Sequence, residues 1–136
     1  MLILEIDTHS PVPIYEQITD GVQRLVRRGD LVPGSPLASV RQLACDLEIN
    51  ANTVARAYRT LEQNGILETA GRRGTRVAAG APDRARDALI GRLDELADRV
   101  IRETAHLGVD PDDLIKAFVR RLELETKPTK AAGRTT

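Results

Sequence analysis

A chain of 136 residues holds one domain and an appendage, too little for a large catalytic or ligand-sensing module. Hydrophobic residues at 41% and charged residues at 29% describe a globular protein, and 2% aromatic residues with no Trp leave Leu, Ile, Val and Ala to build its core. Basic and acidic residues balance at twenty each, nine against nine in residues 1–80 and eleven against eleven in 81–136, so bulk charge supplies no footprint for nucleic acid.

No apolar run approaches the ~18 residues of a membrane span, and no basic segment followed by an apolar run opens the chain. A cytoplasmic protein without membrane contact is therefore expected. Cys45 is the only cysteine, which excludes an intrachain disulfide, and His9 and His106 stand far from it. Neither a metal site nor a cofactor is expected.

Leu2-Ile3-Leu4-Glu5-Ile6 predicts a short strand, stopped by Ser10-Pro11-Val12-Pro13. Ile14, Ile18, Val22 and Leu25 then recur at helical spacing from Pro13 to Arg28, with Gly29 at the C-terminal cap and a turn at Pro33-Gly34. Ser39 with Gln42 matches a capping box, which starts a second helix at Val40 with Val40, Leu43, Ala44 and Leu47 inward. Asn50 caps a third helix after a three-residue turn, with Val54, Ala57, Tyr58 and Leu61 buried and its end before Gly65. Ile66–Thr69 and Thr75–Ala78 read as two strands around the turn Ala70-Gly71-Arg72-Arg73-Gly74.

Residues 80–83 read as a linker, with Asp83 capping a helix from Arg84 to Leu107. Leu89, Leu93, Leu96 and Val100 form its apolar stripe, widened by Ile90, Ala97 and Ile101. Gly108 ends it, and Asp110-Pro111-Asp112-Asp113 starts a last helix carrying Leu114, Ile115, Phe118, Val119 and Leu122. The predicted fold is mainly α with a small β-wing. Its parts are a winged helix-turn-helix over 1–79, a helical dimerisation and effector region over 84–125, and a disordered tail over 126–136.

Two short helices joined by a tight turn and followed by a wing form a scaffold whose second helix can enter a DNA major groove. Opposite the buried stripe of that helix lie Asn52, Arg56, Arg59 and Gln63, all hydrogen-bond donors, with no acid among them and Glu62 beside them. An ordinary solvated face has the same polarity. The wing adds Arg72, Arg73 and Arg76, suited to phosphate or minor-groove contact. Arg41, at the start of the second helix with Ser39, either lies on a phosphate backbone or is a surface arginine. Tyr15 either reaches a phosphate through its hydroxyl or packs. Cys45 reads as a small core residue, because Ala44 and Asp46 supply no positive charge to activate it.

Pro13-Ile14-Tyr15-Glu16-Gln17-Ile18, Leu31-x-Pro33-Gly34-x-x-Leu37-x-Ser39-x-Arg41-x-Leu43-Ala44, Asn50-x-Asn52-Thr53-Val54-x-Arg56-Ala57-Tyr58-x-x-Leu61-Glu62-x-x-Gly65 and Gly74-Thr75-x-Val77 together resemble the DNA-binding domain of the GntR family of bacterial regulators. The short helical region that follows resembles the YtrA-type subfamily. The resemblance implies DNA contact through Arg41, the start of the third helix at Asn50, Ala51, Asn52 and Thr53, Arg56, and the wing with Arg72, Arg73, Gly74 and Thr75. It departs from the family at Ala51 and Ala55, where arginine is common, and at Arg72, where a glycine is common. It also implies repression of the protein's own operon, commonly one encoding an ABC transporter.

Two helices with wide apolar faces cannot bury them on each other alone, so a homodimer through Leu89, Leu93, Leu96, Val100, Leu114, Phe118 and Leu122 is expected, bound to a two-fold symmetric double-stranded operator. An unidentified small-molecule effector at that helical region is a further expected partner. A winged-helix module contacting another protein is the competing function, supported by the neutral charge. No nucleophile motif, phosphate-binding loop or metal spacing points to an enzyme.

Overall fold

The computed structural model describes residues 4–134, with side chains through Thr126. Its elements are α1 (Ile14–Arg28), α2 (Val40–Leu47), α3 (Ala51–Gln63), β1 (Leu67–Thr69), β2 (Thr75–Val77), α4 (Ala81–Thr104) and α5 (Pro111–Arg134). The chain divides into two compact units, Met1–Arg92 and Leu93–Thr136.

In the first unit, Ile18, Val22 and Val26 of α1, Leu43 and Ala44 of α2, and Val54, Ala57, Tyr58 and Leu61 of α3 bury the stripes their spacing predicts. Ile66, Leu67 and Val77 close the core from the wing. α2 and α3 start where their caps stand, since the Ser39 hydroxyl accepts from the Gln42 amide and the Asn50 side chain from the Asn52 amide. The reciprocal half of the expected capping box is absent. The Gln42 side chain instead turns away from the cap and donates its Nε2–H to the Asp46 carboxylate one turn on, at 2.8 Å, a charge-assisted bond.

β1 and β2 pair antiparallel in the register Leu67 with Val77, Glu68 with Arg76 and Thr69 with Thr75. Backbone bonds from Gly34 to Val77, Val77 to Ser35 and Leu37 to Thr75 cover the other edge of β2, which ties the lead-in to α2 to the wing. Among the described non-glycine residues, Glu48 alone has a positive φ, +57°, in the turn between α2 and α3. The left-handed conformation is uncommon for a glutamate, and here it lets the chain reverse within three residues.

Several expectations change. Residues 4–6 form no strand; Leu4 and Ile6 pack their side chains against the core without a strand partner. Leu2 and Ile3 lie outside the described residues. Gln17 holds this arm on α1, accepting from the Asp7 amide and donating to the Asp7 and Val12 carbonyls. A Cβ at Gly21 would meet the Leu4 methyl, so the bare glycine makes room for the arm.

Cys45 is exposed, because a step of about 100° per residue carries it past the inward Leu43 and Ala44. Residues 80–83 do not link two bodies. α4 already begins at Ala81, and Ala81 and Ala85 are fully buried in the core, their small side chains allowing close approach. Asp83 therefore sits in the first turn instead of capping it. α5 runs on to Arg134 through the segment expected to be disordered. An established helix extends one hydrogen bond at a time.

Tyr58 joins α3 to the lead-in of α2, its hydroxyl donating to the Ala38 carbonyl at 2.7 Å. Burial disfavours the phenolate and pushes its pKa up to about 12. The folded chain thus holds this proton more tightly than the unfolded chain, whose tyrosine titrates near about 10. The stabilisation is complete below the unfolded value and is lost as pH rises toward the folded one. Tyr58→Phe is expected to lower stability by about 1 kcal/mol at neutral pH. In urea unfolding, the advantage of the wild type over this variant should shrink above pH ~10.

Candidate nucleic-acid interface

α3 packs its buried stripe against both α1 and α2, which leaves the opposite face in solvent. Asn52, Arg56, Arg59 and Gln63 are all exposed there, and Ala51 is exposed at the helix start while Thr53 is half-buried. Ser39 and Asn50 are exposed, and although each accepts one bond from its own helix, the Ser39 O–H and the Asn50 amide N–H groups remain as donors for another molecule. Arg41 is exposed in the first turn of α2.

The wing tip solves a local problem through its sequence. Gly71 and Gly74 take positive φ values of +56° and +78°, and a short 3-10 turn over Gly71–Arg73 lies between them. The left-handed positions thus fall on glycines, and Arg72, standing where the family often has glycine, carries no such strain. Arg72, Arg73 and Gly74 are exposed, and Thr75 is half-buried in β2.

Arg76 separates from its neighbours. Its Nε lies 2.7 Å from the Glu68 carboxylate across the hairpin. Glu62, the acid beside the α3 face, accepts from the Thr69 hydroxyl, which ties the last turn of α3 to β1. Among the described residues, Arg41, Arg56, Arg59, Arg72 and Arg73 make no ion pair. Five unpaired guanidinium groups on α2, α3 and the wing tip supply the local positive charge that the balanced composition hides.

One contact escapes sequence reasoning. The Arg56 guanidinium lies over the Tyr15 ring at 3.7 Å from the centroid, and the Tyr15 hydroxyl donates to Glu16 at 3.2 Å. Tyr15 therefore packs, and does so beneath a residue of the candidate interface. The two stand 41 positions apart in the chain, so no spacing rule signals the pair; the packing of α1 on α3 makes it.

The apolar side chains of α4 and α5 are largely exposed among the described residues. Leu89, Leu93, Leu96, Phe118 and Leu122 are exposed, Phe118 to 50%, and so are Ile90, Ile101, Ile115 and Val119; Val100 and Leu114 are half-buried. No helix among the described residues is long and apolar enough to cross a membrane, and those residues hold no metal-binding cluster.

Residues 14–77 match the family described as bacterial regulatory proteins, gntR family. The HTH-type transcriptional repressor YtrA of Bacillus subtilis (strain 168) is 33% identical over 128 residues, which cover 94% of this chain and 98% of that protein. Among solved structures, a GntR family transcriptional regulator from Listeria monocytogenes superposes with a TM-score of 0.65 at 29% identity, over 85% of this chain and 98% of its own. YtrA from Sulfolobus acidocaldarius, described as a GntR-family transcription factor, does so at 0.55 with 35% identity, over 67% and 96%.

Proposed function

The chain belongs to the gntR family of bacterial regulatory proteins, transcriptional regulators and not enzymes, and from that premise we propose that it is a homodimeric repressor whose two α3 helices read one two-fold symmetric operator. The observation that carries the reading is the exposed face of α3, where Asn52, Arg56, Arg59 and Gln63 present donors and neither arginine is neutralised. Arginine and asparagine on a helix of this kind match the edges of guanine and adenine in the major groove.

Around that face the roles divide by chemistry. Arg41 and Ser39, with Asn50, Ala51 and Thr53 beside the base-reading Asn52 at the start of α3, contact the phosphate backbone, where donors position without reading sequence. Arg72 and Arg73, with Gly74 and Thr75, carry the wing to the adjacent groove or backbone. Arg76, paired with Glu68, is left out.

Dimerisation runs through Leu89, Leu93, Leu96, Val100, Leu114, Phe118 and Leu122. The exposure of most of these side chains supports it, since contiguous apolar surface of that kind marks an interface. The same helices offer the place for a small-molecule effector. Repression of its own operon, one encoding an ABC transporter, in the cytoplasm, completes the reading, and the name of its Bacillus relative supports repression.

The test is a footprint on the DNA upstream of its own gene. Protection of two half-sites about one helical turn apart, by two chains per site and with affinity falling steeply with salt, is the expected result. Equal binding to that DNA and to unrelated fragments would overturn it and favour a protein-binding module.

A further inference from the structure

Resting on the operator-binding reading above, we propose that Tyr15 is a positioning residue for that site. Its aromatic ring, and not its hydroxyl, holds the Arg56 guanidinium in one orientation before DNA arrives. An exposed arginine carries several rotatable bonds, and fixing it on binding costs conformational entropy. The guanidinium at 3.7 Å from the ring centroid is already restrained in the free protein. A flat cation on an aromatic face keeps its edge open, so the N–H groups stay available to a base while the plane rests on the ring.

The surroundings of Tyr15 suit this role. The residue lies in the first turn of α1 and is half-buried, so its ring is fixed by the helix that also packs on α3. Its hydroxyl is occupied in donating to Glu16. That bond leaves more electron density on the ring and strengthens its attraction for a cation. A phosphate contact through the same hydroxyl would have to break it.

The consequence is that readout on α3 depends on a residue of another helix. Tyr15→Phe keeps the platform and Tyr15→Leu removes it while filling similar space. In the free protein, NMR should show the Arg56 side-chain protons shifted by the ring current in the wild type and in Tyr15→Phe, and unshifted in Tyr15→Leu. Operator affinity should fall roughly threefold to tenfold in Tyr15→Leu and stay near wild type in Tyr15→Phe. In an Arg56→Ala background the Tyr15→Leu change should cost nothing more. A merely structural tyrosine would add its full effect there, and that result overturns the proposal. Equal losses in Tyr15→Phe and Tyr15→Leu would overturn it in favour of a phosphate-binding hydroxyl. Undiminished binding by Tyr15→Leu overturns it while leaving operator binding intact. If the wild-type chain prefers no DNA, the operator-binding reading fails first and this one with it.

Discussion

Arg56→Ala is expected to weaken operator binding by roughly 10²- to 10⁴-fold. A good bidentate contact between arginine and guanine discriminates by about 1–3 kcal/mol, and a two-fold symmetric complex loses it in both half-sites at once. The loss should fall on specific binding. At fixed salt, affinity for unrelated DNA should change by far less, and preference at one base pair of each half-site should relax. Arg56→Lys should recover little, because an ammonium neither presents a planar fork nor rests flat on the Tyr15 ring. Arg41→Ala makes the contrast. It should weaken binding to every sequence alike and flatten the dependence of log affinity on log salt, as loss of a phosphate contact does. A titration series of these variants on specific and random duplexes checks both. Undiminished binding by both would remove the site assignment.

If the proposed homodimer forms through α4 and α5, Phe118→Asp is expected to turn it into a monomer at micromolar concentration. Phe118 is 50% exposed on α5, in line with apolar side chains that stay largely exposed among the described residues. Burying a phenylalanine side chain is worth about 1.5–3 kcal/mol, and a two-fold interface contains the residue twice. A carboxylate in its place adds the cost of burying a charge. Dimer dissociation should therefore strengthen by at least roughly 10²-fold. Light scattering across a dilution series measures it, and far-UV circular dichroism checks that the helices persist. Operator affinity should fall with it, since a monomer engages one half-site only. A wild-type chain that scatters as a monomer at tens of micromolar would remove the dimer.

The winged helix was legible because its signals are local. Ser39 and Asn50 mark helix starts by their own side chains, and the stripes of α1, α2 and α3 repeat at a period that backbone geometry alone imposes. The wing was legible for the same reason, as strand, glycine-rich turn and strand, while the positive φ of Gly71 and Gly74 came from the structure. The failures share the opposite property. Leu4 to Ile6 has strand-forming residues, but a strand also needs an edge to pair with. Gln42 had a choice of partners, and a carboxylate one turn away won over the cap. Ala81 looks like part of a linker until the core it enters is known.

The candidate site divides in the same way. Its donors, their spacing on one helix face and the arginines of the wing followed from the sequence, because a helix face is a consequence of residue order. Which arginines are free did not. Arg76 is paired by Glu68 only once the hairpin register sets them opposite, and Arg56 rests on Tyr15 only once α1 packs on α3. Sequence by itself determined the three helices and the wing of the DNA-binding domain, the family and the inventory of charges. The tertiary structure decided which charges are neutralised, which are held and which remain available, because pairing depends on distance in space, and the chain sets that distance only after it has folded.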